Sequence, residues 1–403
     1  MTQLNPPPPT LQVRFQLPNG KLGVPYQAVI TGQLNSGASV DILSMTLPSE
    51  LGLNFNADTN ELHGIPTQSG DYTVTINWQI NAQQSYCSDC LFIINPDPKQ
   101  LWKILEPAPT EPYAKPHQAH QFLPNDTVNL LAASTRGRAH AHIGQFRDDD
   151  YFINYHPASG WSVLLVADGA GSAKFSREGA KRAVKTAGEY LIMTLASDLA
   201  TPLETVLNNW QEQAIDDTQL LITQSQPYCH LLFNTAVIRA IESLEQAAQE
   251  QHANVNDYAT TLLTAIVKRH AHGTFIATCW IGDGAIAAYD AAGIVSLLSI
   301  PDSGEFAGQT RFLARTMLIN SALSDRIRIG YYSNLTALIL MTDGLSDPRF
   351  ETDNELRDVR HWDELWNELV PLLDTPNPSQ ALIDWLDFFS PGHHDDRTLA
   401  LLW

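Results

Sequence analysis

WSVLLVADG, residues 161–169, is the stretch from which the rest of the chain can be read. Its apolar run is too short and too sharply bounded for a helix and reads as a buried strand. The strand ends at Asp168-Gly169. The same grammar recurs in FIATCWIGDG, residues 275–284, and in LTALILMTDG, residues 335–344, which end at Asp283-Gly284 and Asp343-Gly344. A fourth acidic pair, Asp395-Asp396, precedes the closing apolar run TLALLW. A carboxylate at a strand mouth is held rigidly, and the glycine after it lets the backbone turn or approach a neighbour closely. One Asp-Gly is an ordinary turn. Several at strand ends predict carboxylates converging on one place, where they would repel each other unless a cation neutralised them. Oxygen ligands without paired His or Cys select magnesium, manganese or calcium over zinc. Two such ions about 3.5–4 Å apart can activate water and clamp a phosphoryl group.

Working outward, SREGAKRAVKTAGEYLIMTLASDL (176–199) places Ala180, Ala183, Val184, Ala187, Leu191 and Leu195 on one helical face. Ser176 and Glu178 suit its start. CHLLFNTAVIRAIESLEQAAQE (229–250) reads as a second helix, bounded upstream by Pro227. Strands then follow at 260–270, 274–283, 285–291, 293–300 and 336–343, joined by links short enough to imply antiparallel pairing. Helices at 362–373 and 379–389 and a last strand complete an α+β layering over residues 123–403.

Residues 1–95 have a different texture. LQVRFQL, YQAVITG, VDILSMTL, LGLNF and DYTVTINWQI alternate with period two and are separated by turn signals such as Pro18-Asn19-Gly20 and Asn35-Ser36-Gly37. This predicts a small all-β sandwich. Gly23, Pro25-Tyr26, Leu47-Pro48, Leu53, Phe55, Gly64, Pro66-Thr67, Gly70 and Tyr72 fall in an order that resembles the immunoglobulin-like modules of bacterial proteins. Between the two parts, residues 96–122 are rich in proline and read as an extended linker, with Leu101, Trp102, Ile104 and Leu105 able to pack on a domain.

The 403 residues carry a formal charge of -20, with 44 acidic against 24 basic side chains. That excludes a phosphate backbone or an anionic membrane surface as the main partner. No apolar stretch is long enough to span a bilayer. MTQLNPPPPTLQV lacks the charged and apolar regions of a secretory signal, so a cytoplasmic protein is expected. Of the four cysteines, Cys87 and Cys90 form a CxxC, but with no second pair nearby they read as loop thiols.

RGRAHAHIGQFRDDDYFI, VLLVADGAGSAKFSREGAKRAV, DYATTLLTAIV, CWIGDGAIAAYD, DSGEFAGQTRFL, ALILMTDGLSDP and HHDDRTLALL occur in the order of the type 2C metal-dependent serine/threonine phosphatases. The chain resembles their bacterial branch over residues 130–403. The resemblance implies an α-β-β-α sandwich of two antiparallel sheets flanked by helices, with Mn²⁺ or Mg²⁺ between the sheets, two ions and in some members a third. It implies that Asp168 bridges both ions, that Gly169 offers its carbonyl, and that Asp343, Asp395 and Asp149 complete the shells. Asp148 would stand in for the residue before the family's aspartate. Asp283 and Asp347 resemble the set that holds a third ion, and DSGEFAGQT resembles the mobile flap beside the substrate groove.

The sequence also departs from the pattern. Ala170 stands where many members have a histidine, so the proton for the leaving group would come from metal-bound water or from another histidine such as His140 or His142. Gly144 stands where the phosphate-binding arginine is usual, which leaves Arg138, then Arg136 or Lys174, as the cation. The resulting expectation is hydrolysis of phosphoserine and phosphothreonine by direct water attack, with Asp168, Arg138 and His140 as catalytic residues. A phospho-binding relative without turnover is the alternative. Phosphoproteins and a cognate Ser/Thr kinase are the expected partners, with the β-module contacting a protein.

Overall fold

The structure is a computed structural model that describes residues 5–9, 11–82, 84–97, 102–212, 218–302, 311–318, 323–352 and 354–403. The chain divides into two compact units, Met1–Lys103 and Ile104–Trp403. The linker expected over residues 96–122 therefore does not run free to its end. From Ile104 onward the proline-rich segment belongs to the second unit, where Leu105 donates its N–H to the Ala141 carbonyl at 2.8 Å.

The first unit is all β, as its alternation predicts. Its strands are β1 Val13–Gln16, β2 Gly20–Lys21, β3 Tyr26–Val29, β4 Thr31–Leu34, β5 Ser39–Thr46, β6 Leu53–Asn56, β7 Glu61–Gly64, β8 Gly70–Ile80 and β9 Gln84–Asn95. They form a six-stranded sheet in the order β1-β4-β5-β8-β9-β2 and a three-stranded sheet β3-β7-β6. Val74, Ile76 and Trp78 on β8 are fully buried, and Ile30, Leu51, Leu62, Phe92 and Ile94 join Val74 and Ile76 in one core. Cys87 and Cys90 both lie on β9, opposite Asn77 and Val74. Residues three apart on a strand point to opposite faces. Their CxxC spacing therefore does not converge on one ion.

The second unit contains β10 Gln118–Leu123, β11 Leu130–Thr135, α1 Arg138–Ile143, β12 Asp150–His156, β13 Trp161–Ala167, α2 Ser176–Leu195, α3 Thr201–Glu212 and α4 Thr218–Glu250. These are followed by β14 Leu262–His270, β15 Gly273–Ile281, β16 Ala285–Asp290, β17 Ile294–Leu297, β18 Ile327–Tyr332, β19 Ala337–Met341, α5 Asp343–Ser346, α6 Val359–Leu373, α7 Pro378–Leu386 and β20 Arg397–Leu402. One sheet has the order β10-β11-β20-β19-β16-β17 and the other β12-β13-β14-β15-β18. The pairings within both are antiparallel.

Strand alternation sorts side chains into layers. On β13, Trp161, Val163, Leu165 and Ala167 pack toward α2 and α4, whereas Leu164 and Val166 face the other sheet. On β19 and β20, Ile339, Met341, Leu399 and Leu401 pack toward α6 and α7, whereas Leu338, Leu340, Ala400 and Leu402 face inward. Strands apolar on both faces read as continuous hydrophobic runs, which is why these three stand out in the sequence. The result is the α-β-β-α sandwich that the resemblance implies.

One helix differs from its expected bounds. Pro227 lies inside α4 rather than before it. A proline has no N–H to give to the preceding turn. Here the helix continues through it, and the Ser225 hydroxyl bonds the Leu221 carbonyl at 2.7 Å in the same turn. Burial of Leu221, Ser225 and Cys229 along one face outweighs the lost bond.

Candidate metal centre

The acidic residues arrive from strand ends of both sheets. Asp168 follows β13 and is pinned through its backbone. Its N–H donates to the Thr261 hydroxyl at 2.8 Å, and its carbonyl accepts from the Thr261 N–H at 2.8 Å and the Thr260 hydroxyl at 2.9 Å. Asp149 immediately precedes β12. Its Oδ2 accepts from the hydroxyls of Thr342 at 2.8 Å and Thr398 at 2.7 Å, residues on the adjoining ends of β19 and β20. Asp343 opens α5, and Asp347 follows one turn later, donating its N–H to the Asp343 carbonyl at 2.9 Å.

The glycines after these aspartates are required by close approach. A Cβ on Gly344 would lie 1.9 Å from the Asp396 carbonyl oxygen, and one on Gly284 would lie 2.4 Å from that of Met341. The Asp-Gly pairs thus let neighbouring strand ends crowd together while the carboxylates face the gap.

The crowding shows in the electrostatics. Burial raises the Asp168 pKa well above its ordinary value, and the charges of Asp149, Asp343 and Asp395 raise it further. Asp343 is shifted the same way by burial, then by Asp283, Asp395, Asp149 and Asp347. Asp149 is pushed up to about 7, chiefly by burial and then by the charge of Asp396. Asp395 and Asp347 are raised for the same reasons, with Asp283 acting on both. The structure therefore brings together Asp149, Asp168, Asp283, Asp343, Asp347 and Asp395, with Gly169 next to Asp168.

The donor set fits a divalent cation. The carboxyls of Asp149 and Asp168 lie within hydrogen-bonding reach of each other. Asp149 Oδ1 is nevertheless buried with no donor to it. Two adjacent buried carboxylates can coexist only by sharing a proton or a cation. Among the described residues no ion pair joins a basic side chain to the carboxylate of Asp149, Asp168 or Asp343.

His140, Asp395 and Asp396 also bring ligand-type atoms within 4.8 Å of one another. That triangle is already satisfied internally. Asp396 accepts the N–H groups of Gly137, at 2.6 Å, and of Asp148, and His140 Nδ1 stands 3.0 Å from its Oδ2. The His140 Nε2 in turn lies 3.6 Å from Asp148. Burial works against the His140 imidazolium, but Asp396 and Asp148 more than compensate, and its pKa rises to about 9. The triangle's contacts brace the backbone at Gly137 and Asp148.

Three expected roles meet a different geometry. Both ring nitrogens of His140 face carboxylates, so its contacts suit orientation of Asp148 and Asp396 rather than proton donation to a leaving group. Asp148, expected beside the ligands, instead accepts from the Ser176 hydroxyl at the start of α2, at 2.9 Å. The Arg138 guanidinium is taken up by the Asp387 carboxylate at 2.9 Å and by the carbonyls of Asp387 and Phe388, with Phe389 under its face. It thus ties α1 to the end of α7 instead of presenting a free fork to phosphate. Arg136 bonds the Leu105 and Gln145 carbonyls, and Lys174 sits 4.9 Å from the centre of the Phe175 ring. The flap expected at DSGEFAGQT lies, apart from Asp302, outside the described residues.

Several contributors escaped the sequence reading. Thr342 and Thr398 adjoin acidic pairs already singled out, and β19 and β20 are neighbours in the sheet. A register argument would have put both hydroxyls beside the same carboxylate. Asp396 was visible only as half of a pair, and nothing local says which half faces inward.

A family model described as protein phosphatase 2C matches residues 136–387. No curated protein matches the chain. Solved structures similar in fold include a serine-threonine phosphatase 2C from Toxoplasma gondii. It is 16% identical, with 72% of this chain and 99% of that one covered and a TM-score of 0.47. RsbX in complex with magnesium is 13% identical, covering 70% and 98%, at a TM-score of 0.39. PppA, a key regulatory component of T6SS in Pseudomonas aeruginosa, is 14% identical, covering 69% and 97%, at 0.39.

Proposed function

The chain belongs to the protein phosphatase 2C family, and on that premise we propose that it hydrolyses phosphoserine and phosphothreonine in proteins at a binuclear Mn²⁺ or Mg²⁺ centre. Asp168 would bridge the two ions, with the Gly169 carbonyl on one and Asp343 and Asp395 on the other. Asp149 would complete the shell through Oδ1, because Thr342 and Thr398 occupy Oδ2. Asp283 and Asp347 would serve a third, more peripheral ion. When bound, the ions supply the positive charge for in-line displacement at phosphorus by water. The protein's part is to fix the carboxylates before substrate arrives. Thr260 and Thr261 hold Asp168, the two other threonines hold Asp149, and Asp396 with His140 holds the loop that carries Asp148.

The observation that carries this reading is the buried, unpartnered Oδ1 of Asp149, set against Asp168 in the acidic cluster. The thiols of Cys90, Cys229 and Cys279, which form no disulfide, suit action in a reducing, cytoplasmic setting. Among the described residues no helix is long and apolar enough to cross a membrane. The first unit, with two sheets that share one core and the Gly23-Val24-Pro25-Tyr26 opening, fits an immunoglobulin-like module that contacts a protein partner, either a phosphorylated substrate or a kinase acting on the same substrates.

Phosphate release from a phosphothreonine peptide tests the activity. The wild type should turn over with Mn²⁺ and stop with chelator, and Asp168→Asn should lose at least a hundredfold. Equal rates for the two proteins in Mn²⁺ would remove the enzyme reading.

A further inference from the structure

The strap that enters the second unit, residues 104–117, runs to the back of the acidic cluster. Glu106 meets His117 at 2.8 Å, and Glu111 pairs with Arg177 on α2 at 3.1 Å. Tyr113 adopts a left-handed φ of 59°, a conformation that costs a tyrosine about 1 kcal/mol or more. It is held there by a 2.8 Å contact between its hydroxyl and that of Tyr258 and by edge-on packing against Phe175. The strained residue sits two positions before Lys115, and Pro116 restricts Lys115 itself to an extended backbone.

The consequence is an unusual placement of a lysine. The Lys115 side chain is only 6% exposed, and its Nζ lies 2.7 Å from the Asp149 carbonyl oxygen and 3.0 Å from the Asp150 carboxylate. The Asp149 carbonyl also accepts from Arg147 Nη1 at 2.7 Å. Two cationic donors therefore grip the backbone of the residue whose side chain is gripped by two threonines. A lysine is seldom buried without a partner that needs it there. Arg147 lies two residues from Asp149 and moves with its loop, whereas Lys115 reaches Asp149 from a separate part of the chain.

We propose that Lys115 is a positioning residue for the metal ligand Asp149, making the segment that follows the first unit a working part of the metal centre. This rests on the assignment of Asp149 as a ligand. Lys115 fixes the Asp149 peptide and balances negative charge beneath the cluster, so its loss should show first in metal affinity. Partners that orient a ligand typically change metal affinity or activity 10–100-fold when removed.

The full-length protein and its Lys115→Met and Lys115→Arg variants would be titrated with Mn²⁺. Bound metal is read from the electron paramagnetic resonance of free Mn²⁺, and kcat and KM are measured on a phosphothreonine peptide. The Met variant should need roughly tenfold or more Mn²⁺ for half-saturation. Its peptide KM should stay within about twofold, and saturating Mn²⁺ should restore most of kcat. The Arg variant keeps the cation but cannot place one nitrogen between both oxygens, so its half-saturation should fall between the two. If Lys115→Met does not fold, the Arg variant carries the test through the same titration. Wild-type Mn²⁺ affinity in whichever variant folds would overturn the positioning role while leaving the metal centre intact. Failure of the wild type itself to bind Mn²⁺ would overturn the ligand assignment and this proposal together.

Discussion

Replacing Asp149 by asparagine should make the metal-free protein more stable while weakening its response to metal. The Asp149 carboxyl rises from 3.8 to about 7 on folding, mainly through burial. A carboxyl raised in this way binds its proton more tightly in the folded state. The stability it contributes is present below its unfolded value and is lost as pH rises through 7. Three units correspond to on the order of 4 kcal/mol at pH 8. An asparagine oxygen can still accept from Thr342 and Thr398, at a cost of roughly 1–2 kcal/mol for the lost charge on the acceptor. Its amide can donate to Asp168, turning a repulsion into a hydrogen bond. The net gain is about 2–3 kcal/mol, or about 5 °C in the melting temperature of the second unit.

Calorimetry after chelation would measure that gain at pH 8, and it should shrink toward zero at pH 5. Adding Mn²⁺ should raise the wild-type transition by more than it raises that of the variant. At a hundredfold excess over Kd the wild type should gain about 2.7 kcal/mol. A metal-free Asp149→Asn protein that melts below the wild type at pH 8 would refute the reasoning. It would show that the carboxylates are compensated within the protein and hold no place for a cation.

Other consequences follow from single contacts. Gly344→Ala would drive a Cβ into the Asp396 carbonyl, so it should cost about 3 kcal/mol by denaturant unfolding and reduce the Mn²⁺-induced rise in melting temperature. Trp362 is fully buried and donates its indole N–H to the Leu356 carbonyl at 2.9 Å. Its replacement by alanine should cost about 3–5 kcal/mol while the folded fraction keeps wild-type KM. Asp283→Asn should lower turnover while leaving the tight Mn²⁺ sites filled, as read by titration; loss of tight binding would place Asp283 in the binuclear shell. A chain beginning at Ile104 should keep Mn²⁺-dependent hydrolysis of a short phosphopeptide, whereas one beginning at Gln118, which lacks Lys115 and Tyr113, should not.

Much of the fold could be read because the two sheets are buried on both faces. WSVLLVA, TALILM and TLALLW are continuous apolar runs, and their Asp-Gly or Asp-Asp boundaries mark where the sheets open. By contrast, β18, residues 327–332, is IRIGYY, in which an arginine and a glycine break the run, and its strand nature comes from pairing with β15. Tertiary pairing overrides a weak local signal there. Pro227 misled in the opposite direction, since a local breaker yields where a long helix has a face to bury.

At the site, most of the clustered aspartates were visible because they adjoin a strand end, a local feature. The roles of Arg138 and His140 were not visible, because they depend on Asp387, some 250 positions along, and on Asp396, about as far. Lys115 left no local trace. A lysine between prolines looks like linker until Asp149 is placed beside it.

Anomalous scattering from crystals grown in Mn²⁺ would test the central claim most directly. Two manganese peaks should lie about 3.5–4 Å apart, both within ligand distance of Asp168, with Asp149, Asp343 and Asp395 around them. Peaks confined to the His140–Asp396 triangle, or no ordered manganese beside Asp168, would contradict the account.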